Sequence, residues 1–258
     1  MTPSAVGSVM CFIAAIALVI YPTLGATTTA QESVAVSREA AARIVASVGR
    51  VVRDDLELDT VEYRVEATEV ILSGRVETLW VKTQVIDRLL EINGIESVAS
   101  ELIIPGVESD DELAQLVGAA IQRYRYNTIW DYIGGGVVDG VVTLNGSVTP
   151  DRDKAGELFE EVARIEGVQD INLEISRQSL SRRDRDLRML IAQRVRRHPT
   201  FAQYAILPDP PFRILVDQGV VVLAGSVRSQ VESRLLEQIA RQAFEVVRVV
   251  NSLQVGGR

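Results

Sequence analysis

Cysteine and histidine are nearly absent from this chain, and their scarcity limits the chemistry that its side chains offer. Among 258 residues there is one cysteine, Cys11, and one histidine, His198. A single cysteine forms no disulfide within a chain, and zinc sites draw mainly on several Cys and His ligands. No Gly-x-Ser-x-Gly phrase is present either. We therefore expect no metal, no cofactor and no catalytic residues, and we interpret His198 as a helix cap.

Aromatic residues are few as well, and the net charge is negative. Aromatic residues make up 5% of the chain and hydrophobic residues 47%, so the cores must consist mainly of Val, Ile, Leu and Ala. The formal net charge of −8 argues against bulk attraction to nucleic acid. Gly134–Gly136 lacks the surrounding pattern of a phosphate-binding loop, and we interpret it as a flexible loop.

Charged residues are missing from the first 31 positions. An apolar run at 11–20 is followed by Pro22 and by small residues up to Ala30. A signal peptide has an apolar core of this kind and a small-residue cleavage site, whereas a spanning helix needs about 20 apolar residues. Residues 1–30 are thus a signal peptide or a membrane anchor. Either alternative places the remainder outside the cytoplasmic membrane, as a periplasmic or membrane-anchored protein.

One short phrase occurs three times, as Val-x-Leu-x-Gly-x-Val. Its glycines are Gly74, Gly146 and Gly225, which are 72 and 79 residues apart. Repetition at a near-constant period indicates a repeat architecture, and each copy is long enough to close a small core alone. Glycine at the end of a strand permits a bulge or a close backbone approach. We therefore assign these three hallmark glycines a structural role.

Each copy shows the same order of helix, strand, strand, helix and strand. Apolar residues at helical spacing precede and follow the glycine phrase, and β-branched runs indicate the strands. The fold class expected is α+β, with three tandem modules whose three-stranded sheets are covered by two helices on one face. Glu245 replaces a helix-ending glycine in the third copy, at some cost in local stability. The predicted copies span 38–105, 110–177 and 183–256.

The glycine phrase, the helix after it and the closing strand resemble the BON domain, named for bacterial osmotically induced and nodulation proteins. The resemblance covers almost everything after residue 38, as three tandem copies. It implies a small α+β fold and an association with phospholipid surfaces and the bacterial envelope.

A strongly cationic segment stands out against the acidic background. Arg177 to Arg197 includes eight arginines and only two acidic residues. Guanidinium groups bind phosphate bidentately, and basic clusters are attracted to anionic lipid. The candidate lipid-binding residues are Arg182, Arg183, Arg185, Arg188, Arg194, Arg196 and Arg197. The alternative is a solvated helix whose arginines pair with acidic faces of neighbouring copies.

Four aromatic residues in the second copy form another candidate interface: Tyr124, Tyr126, Trp130 and Tyr132. Tyrosine and tryptophan favour protein interfaces and membrane–water boundaries. The alternative is that they fill the core of the second copy and the groove to its neighbour.

Two function classes follow from these features. The first is a non-catalytic envelope protein whose modules bind anionic membrane lipid or envelope proteins and support envelope integrity under stress. The second is a soluble periplasmic protein-interaction or chaperone-like protein of the osmotic-stress type. An enzyme, a nucleic-acid partner and a metal partner are not expected.

Overall fold

Three small α+β modules follow one another in the chain. The computed structural model describes residues 39, 41–106, 109–205, 207 and 210–256. The predicted signal or anchor at 1–30 lies outside the described residues. Each module has a sheet flanked by helices, which confirms the fold class expected from the sequence.

The modules share one order of elements. In module 1, helix α1 covers 41–49 and continues as a π-helical segment, Arg50–Asp55; then follow β1 Val61–Glu66, β2 Glu69–Arg75, α2 Leu79–Leu90 and β3 Ser97–Ile103. Module 2 consists of α3 Asp110–Arg123, β4 Tyr132–Val138, β5 Val141–Val148, α4 Lys154–Ala163 and β6 Asp170–Arg177. Module 3 consists of α5 Arg182–Arg197, a 3-10 turn Pro199–Phe201, α6 Ala202–Ala205, β7 Phe212–Asp217, β8 Val220–Val227, α7 Gln230–Arg241, β9 Arg248–Asn251 and β10 Gln254–Val255.

The second strand of each module lies at the centre of its sheet. It pairs antiparallel with the strand before it, through a tight hairpin, and parallel with the strand after the second helix. Alternate residues of these central strands are buried, such as Val142 and Leu144, because one face of the sheet packs on the helices. In module 3 the last strand is interrupted, so that β9 and β10 pair in turn with β8.

The hallmark glycines occupy backbone positions that exclude a side chain. Their φ angles are +119° at Gly74, +142° at Gly146 and +89° at Gly225. A Cβ atom there would lie only 2.1, 1.9 and 2.3 Å from the carbonyl oxygens of Thr60, Tyr132 and Pro211, respectively. The central strand approaches the start of its hairpin partner too closely for any other residue.

Residues Gly134–Gly136 form part of strand β4, and the loop expected from the sequence is wrong. They pair in register with Asn145, Leu144 and Thr143 of β5. A Cβ atom on Gly135 would lie 2.7 Å from the Thr143 carbonyl oxygen. Glycine is a weak strand former, so the pairing with β5, rather than local propensity, determines this strand.

The three modules do not each have a core of their own, although each copy is long enough to form one. The buried residues of modules 1 and 2 form one continuous apolar cluster, whereas module 3 has its own. The Arg164 guanidinium of module 2 also lies 4.4 Å from the Trp80 ring of module 1. Module 2 joins module 3 through backbone pairing, because the amide of Ile214 on the edge strand β7 donates to the Ile129 carbonyl at 2.8 Å.

Candidate functional site

Helix α5 directs one face to the core of module 3 and the opposite face to solvent. Its buried residues are Asp184, Leu187, Arg188, Ile191 and Val195. This spacing forms a single inward stripe. The residues on the opposite side of the helix are exposed, among them Arg182, Arg185, Met189 and Arg196. The helix therefore presents a basic surface with an exposed methionine in its middle.

Six of the seven candidate lipid-binding arginines reach the surface. Arg183 Nε lies 3.2 Å from Glu245 Oε2, and Arg185 Nε lies 4.0 Å from the carboxylate of Asp186. The other four have no carboxylate partner within the described part of the chain: Arg182, Arg194, Arg196 and Arg197. These guanidinium groups are available to an external anion.

Arg188 does not belong to this surface, which corrects its assignment from the sequence. Its side chain lies inside module 3 with 6% of its area exposed. One Nη atom donates to the Val216 carbonyl at 2.9 Å, and burial lowers the pKa of this guanidinium. The long side chain of Arg188 therefore links α5 to β7 and does not contact solvent-borne ligands.

Asp184 is a positioning residue that the sequence does not indicate. It is 1% exposed, and its two carboxylate oxygens accept the amides of Gln218 and Gly219 at 2.9 and 2.8 Å. Asp110 at the start of α3 accepts the amides of Asp139 and Gly140 in the same way. In both modules the first helix is thus fixed to the turn of the hairpin.

The four aromatic residues of the second candidate interface do not form one surface. Tyr124 is buried and Tyr126 is half-buried, whereas Trp130 packs against the core of module 3. Tyr132 lies on strand β4 with 40% of its area exposed. The environments of Tyr124, Tyr126 and Trp130 match the alternative in which these residues fill the module and the groove to its neighbour, whereas Tyr132 is exposed.

A tyrosine–glutamate hydrogen bond recurs in modules 2 and 3. Tyr124 Oη donates to Glu157, and Tyr204 Oη donates to Glu232 at 2.7 Å. Burial, followed by these carboxylate contacts, raises the pKa of both phenols. Arg152 also bonds Glu157 and thereby lowers the pKa of its carboxyl group. Both tyrosines remain protonated at neutral pH, and their hydrogen bonds attach the second helix of the module, α4 or α7, to the segment that follows the first helix.

A buried ion pair supports module 2. Lys154 Nζ lies 2.8 Å from Asp131 Oδ2, with side-chain exposures of 1% and 0%. Asp131 also accepts hydrogen bonds from the backbone amides of Thr128 and Thr149. Each of these groups has a partner, and together they fix the position of the turn between β5 and α4. Removal of one member of such a buried pair is strongly destabilising, because it leaves the other charge uncompensated.

A groove of about 760 Å³ lies between the Asn127–Trp130 segment and α5. Its lining is mainly apolar and includes Trp130, Met189, Phe201 and Phe212, with Arg196 among its polar residues. The buried Oδ1 atom of Asn127 has no hydrogen-bond partner. Another groove, of about 670 Å³, lies beside Tyr124 and Glu157.

The described residues meet neither the requirements of a metal site nor those of a membrane-spanning helix. Within them, no group of three or more His, Cys, Asp or Glu side chains could hold a metal ion. His198 ends α5, and its Nδ1 atom accepts the amide of Thr200 at 3.3 Å. None of the helices described has the length and apolarity that a bilayer crossing requires.

The comparison with protein families concerns module 3. A family model for the BON domain matches residues 184–257. Module 3 is thus similar to the BON domain. This match begins in the first turn of α5 and extends past β10, so it includes Gly225 and the arginines of α5 from Arg185 onward, whereas Arg182 and Arg183 precede it.

Two solved structures are similar to this chain over much of its length, and both are of CdsD, a structural protein of the type III secretion system of Chlamydia trachomatis. One is its C-terminal domain. Each is 12% identical over 83% of this chain, covering 98% and 93% of the CdsD chains, with TM-scores of 0.23. Such low TM-scores carry no argument about function. No curated protein matches the chain.

Proposed function

We propose that this protein is a non-catalytic bacterial envelope protein whose BON domain binds anionic phospholipid through the exposed arginines of α5. The observation that carries the proposal is the set of four accessible guanidinium groups without carboxylate partners among the described residues. In a chain of net charge −8, such a surface attracts anions only locally. Guanidinium groups bind phosphate oxygens bidentately.

The wider role that we propose is support of envelope integrity under stress, with modules 1 and 2 as divergent copies of the BON domain. The same element order in all three modules and the shared geometry of the hallmark glycines support this reading. Export through residues 1–30, as a cleaved signal or a retained anchor, belongs to the same proposal.

Flotation with liposomes tests the arginine surface. The protein lacking residues 1–30 is used, so that the apolar segment does not itself hold the protein on the vesicles. The variant R182Q/R183Q/R185Q removes three exposed charges from the first turn of α5. Since each is worth about 1 kcal/mol near an anionic surface, we expect its partition coefficient to fall by about two orders of magnitude.

A matched control shows whether position matters or only total charge. The variant R50Q/R75Q/R88Q removes the same charge from exposed arginines of module 1, and we expect it to float with anionic vesicles almost as the parent does. Equal loss in both variants would show that α5 has no special role. Full retention in the first variant would contradict the proposed surface.

The second candidate function is binding of other polypeptides in the periplasm, as a chaperone-like protein. It is favoured by the apolar groove between Asn127–Trp130 and α5. Apolar contacts are insensitive to ionic strength over the range that screens surface charges. This function would be supported by a peptide that binds the protein equally at low and high salt and that no longer binds the Met189→Asp variant.

A further inference from the structure

The end of module 3 at which α5 begins exposes apolar side chains. Phe244 and Val247, between α7 and β9, have 81% and 69% of their areas exposed, and Leu180, before α5, has 83%. We call this surface, with the β7–β8 turn at Gln218–Gly219, the tip of module 3. Large apolar side chains clustered on a surface indicate a binding site.

Backbone contacts hold the tip together. The Val247 amide donates to the Gly219 carbonyl at 2.8 Å. The amides of Gln218 and Gly219 bind Asp184 of α5, and Arg183 donates to the Glu245 carbonyl at 3.0 Å. The apolar side chains are therefore displayed from one connected framework.

Modules 1 and 2 have the same backbone at this end but carry polar side chains. Asn93 and Glu96 stand where module 3 has Phe244 and Val247, and module 2 has Glu166 and Gln169. The equivalence rests on the hydrogen bonds of the turn, because Glu96 N donates to Thr68 O and Gln169 N to Gly140 O. The fold does not require apolar residues here, so their presence in module 3 alone needs another reason.

Free cations flank the apolar residues. Arg182 and Arg248 are exposed and have no carboxylate partner in the described ranges. The carboxylates of the tip are engaged: Asp184 is buried on two amides, Glu245 binds Arg183, and Asp217 accepts the Ser179 amide at 2.7 Å. Apolar side chains beside unpaired arginines match the boundary between phosphate headgroups and acyl chains.

We infer that the tip of module 3 inserts into an anionic bilayer, with Phe244 and Val247 among the acyl chains and Arg182 and Arg248 at the phosphates. This inference rests on the proposed function and names the part of the BON domain that enters the membrane. Because α5 starts at the tip and rises 1.5 Å per residue, Gln193 lies about 16 Å farther along the helix than Arg182. The helix thus stands away from the bilayer instead of lying flat on it.

Site-specific fluorophores on the full chain test the insertion. Cys11 is replaced by serine, and an environment-sensitive dye is attached to a cysteine at position 244, 93, 166 or 193 in four separate proteins. We expect anionic vesicles to raise and blue-shift the emission of the F244C protein alone. Quenchers on the lipid acyl chains should reach that dye and not those of N93C, E166C or Q193C.

These labels separate the inference from the proposed function. Vesicle binding without a response at position 244 would overturn tip insertion, while arginine-dependent flotation would leave the proposed function intact. An equal response at position 193 would mean that α5 lies flat and would also overturn it. No binding of the protein lacking residues 1–30 to anionic vesicles would refute both.

A pair of variants tests the apolar contribution. F244N/V247Q places in module 3 the residues found in modules 1 and 2, which the same backbone accommodates. Loss of two membrane-buried apolar groups should weaken vesicle binding roughly tenfold or more. The control V138N/V231Q changes exposed valines in module 2 and at the opposite end of α7 and should retain binding. Equal affinity in both variants would contradict the inference.

Discussion

Single residues in this protein act mainly through backbone geometry, and Gly225 is the clearest case. Its φ angle is +89°, and a Cβ atom at this position would lie only 2.3 Å from the Pro211 carbonyl oxygen, which leaves no room for a side chain. We expect Gly225→Ala to lower the free energy of unfolding by about 2–4 kcal/mol. Urea denaturation measures this loss. Gly136→Ala is the control, because a Cβ atom there meets nothing within 4 Å; equal destabilisation by both would show that the hallmark position is ordinary.

Glu245 is the residue at which module 3 departs from the helix-ending glycine of the other modules. Its φ angle is +76°, and those of Gly94 and Gly167 are +98° and +89°. We expect Glu245→Gly to raise the free energy of unfolding by roughly 0.5–1 kcal/mol, since relief of strain exceeds loss of an exposed ion pair. Thermal unfolding compares it with Glu245→Ala, which loses the pair and keeps the strain. A lower melting temperature for the glycine variant would refute this reasoning.

Local sequence patterns predict the role of a residue when that role depends on its neighbours in the chain. They do not predict roles that depend on contacts with residues far away in the sequence. The left-handed position of Glu245 was predictable because two other copies have glycine there. Arg188 and Asp184 looked like members of a charged run, but their partners, Val216 and the Gln218–Gly219 turn, lie about 30 residues away. Only the packing of α5 on the hairpin decides which charges are buried.

At the scale of elements, the helices and strands could be predicted from the sequence wherever hydrophobic periodicity and β-branching agreed. Strand β4 was missed because its centre is Gly134–Gly136, whose extended conformation depends on pairing with β5. The basic helix α5 was predictable as an element. Its inward stripe, and hence the number of arginines that face solvent, was not, because two of the buried residues are charged.

The attachment of α5 to the hairpin is testable at Asp184. An asparagine there presents one oxygen and one NH₂ group to two amides, so one amide loses its acceptor. We expect Asp184→Asn to destabilise the protein by roughly 2 kcal/mol and to speed hydrogen exchange at Gln218 and Gly219. Asp186→Asn is the exposed control. Unchanged exchange at the turn would show that the carboxylate does not hold it.

The two ends of α5 should contribute unequally to membrane binding. Arg182 at the tip, with Arg248 from β9, lies at the proposed headgroup level, whereas Arg196 and Arg197 lie about 20 Å farther along the helix, two Debye lengths at 0.1 M salt. We expect R182Q/R248Q to weaken binding to anionic vesicles at least tenfold more than R196Q/R197Q, which removes the same charge. Sedimentation with sucrose-loaded vesicles gives both affinities. A larger loss in R196Q/R197Q would contradict an upright helix.

At the scale of the whole molecule, the three modules form a connected chain of cores and not three independent units. Modules 1 and 2 share one apolar cluster, and Ile129 and Trp130 of module 2 pack against module 3. The repeat was predictable from its glycines, but this sharing was not, because the residues that join neighbouring modules follow no periodic pattern. The connection limits the freedom of module 3 relative to module 2.

The salt dependence of vesicle binding tests the central claim most directly. The protein lacking residues 1–30 is titrated with anionic and with neutral liposomes from low to high ionic strength. Phosphate-directed binding predicts partition onto anionic vesicles only, weakening steadily as the Debye length falls from about 30 Å at 0.01 M to 10 Å at 0.1 M salt. Equal partition onto neutral vesicles, unaffected by salt, would contradict the account and favour binding of apolar polypeptides.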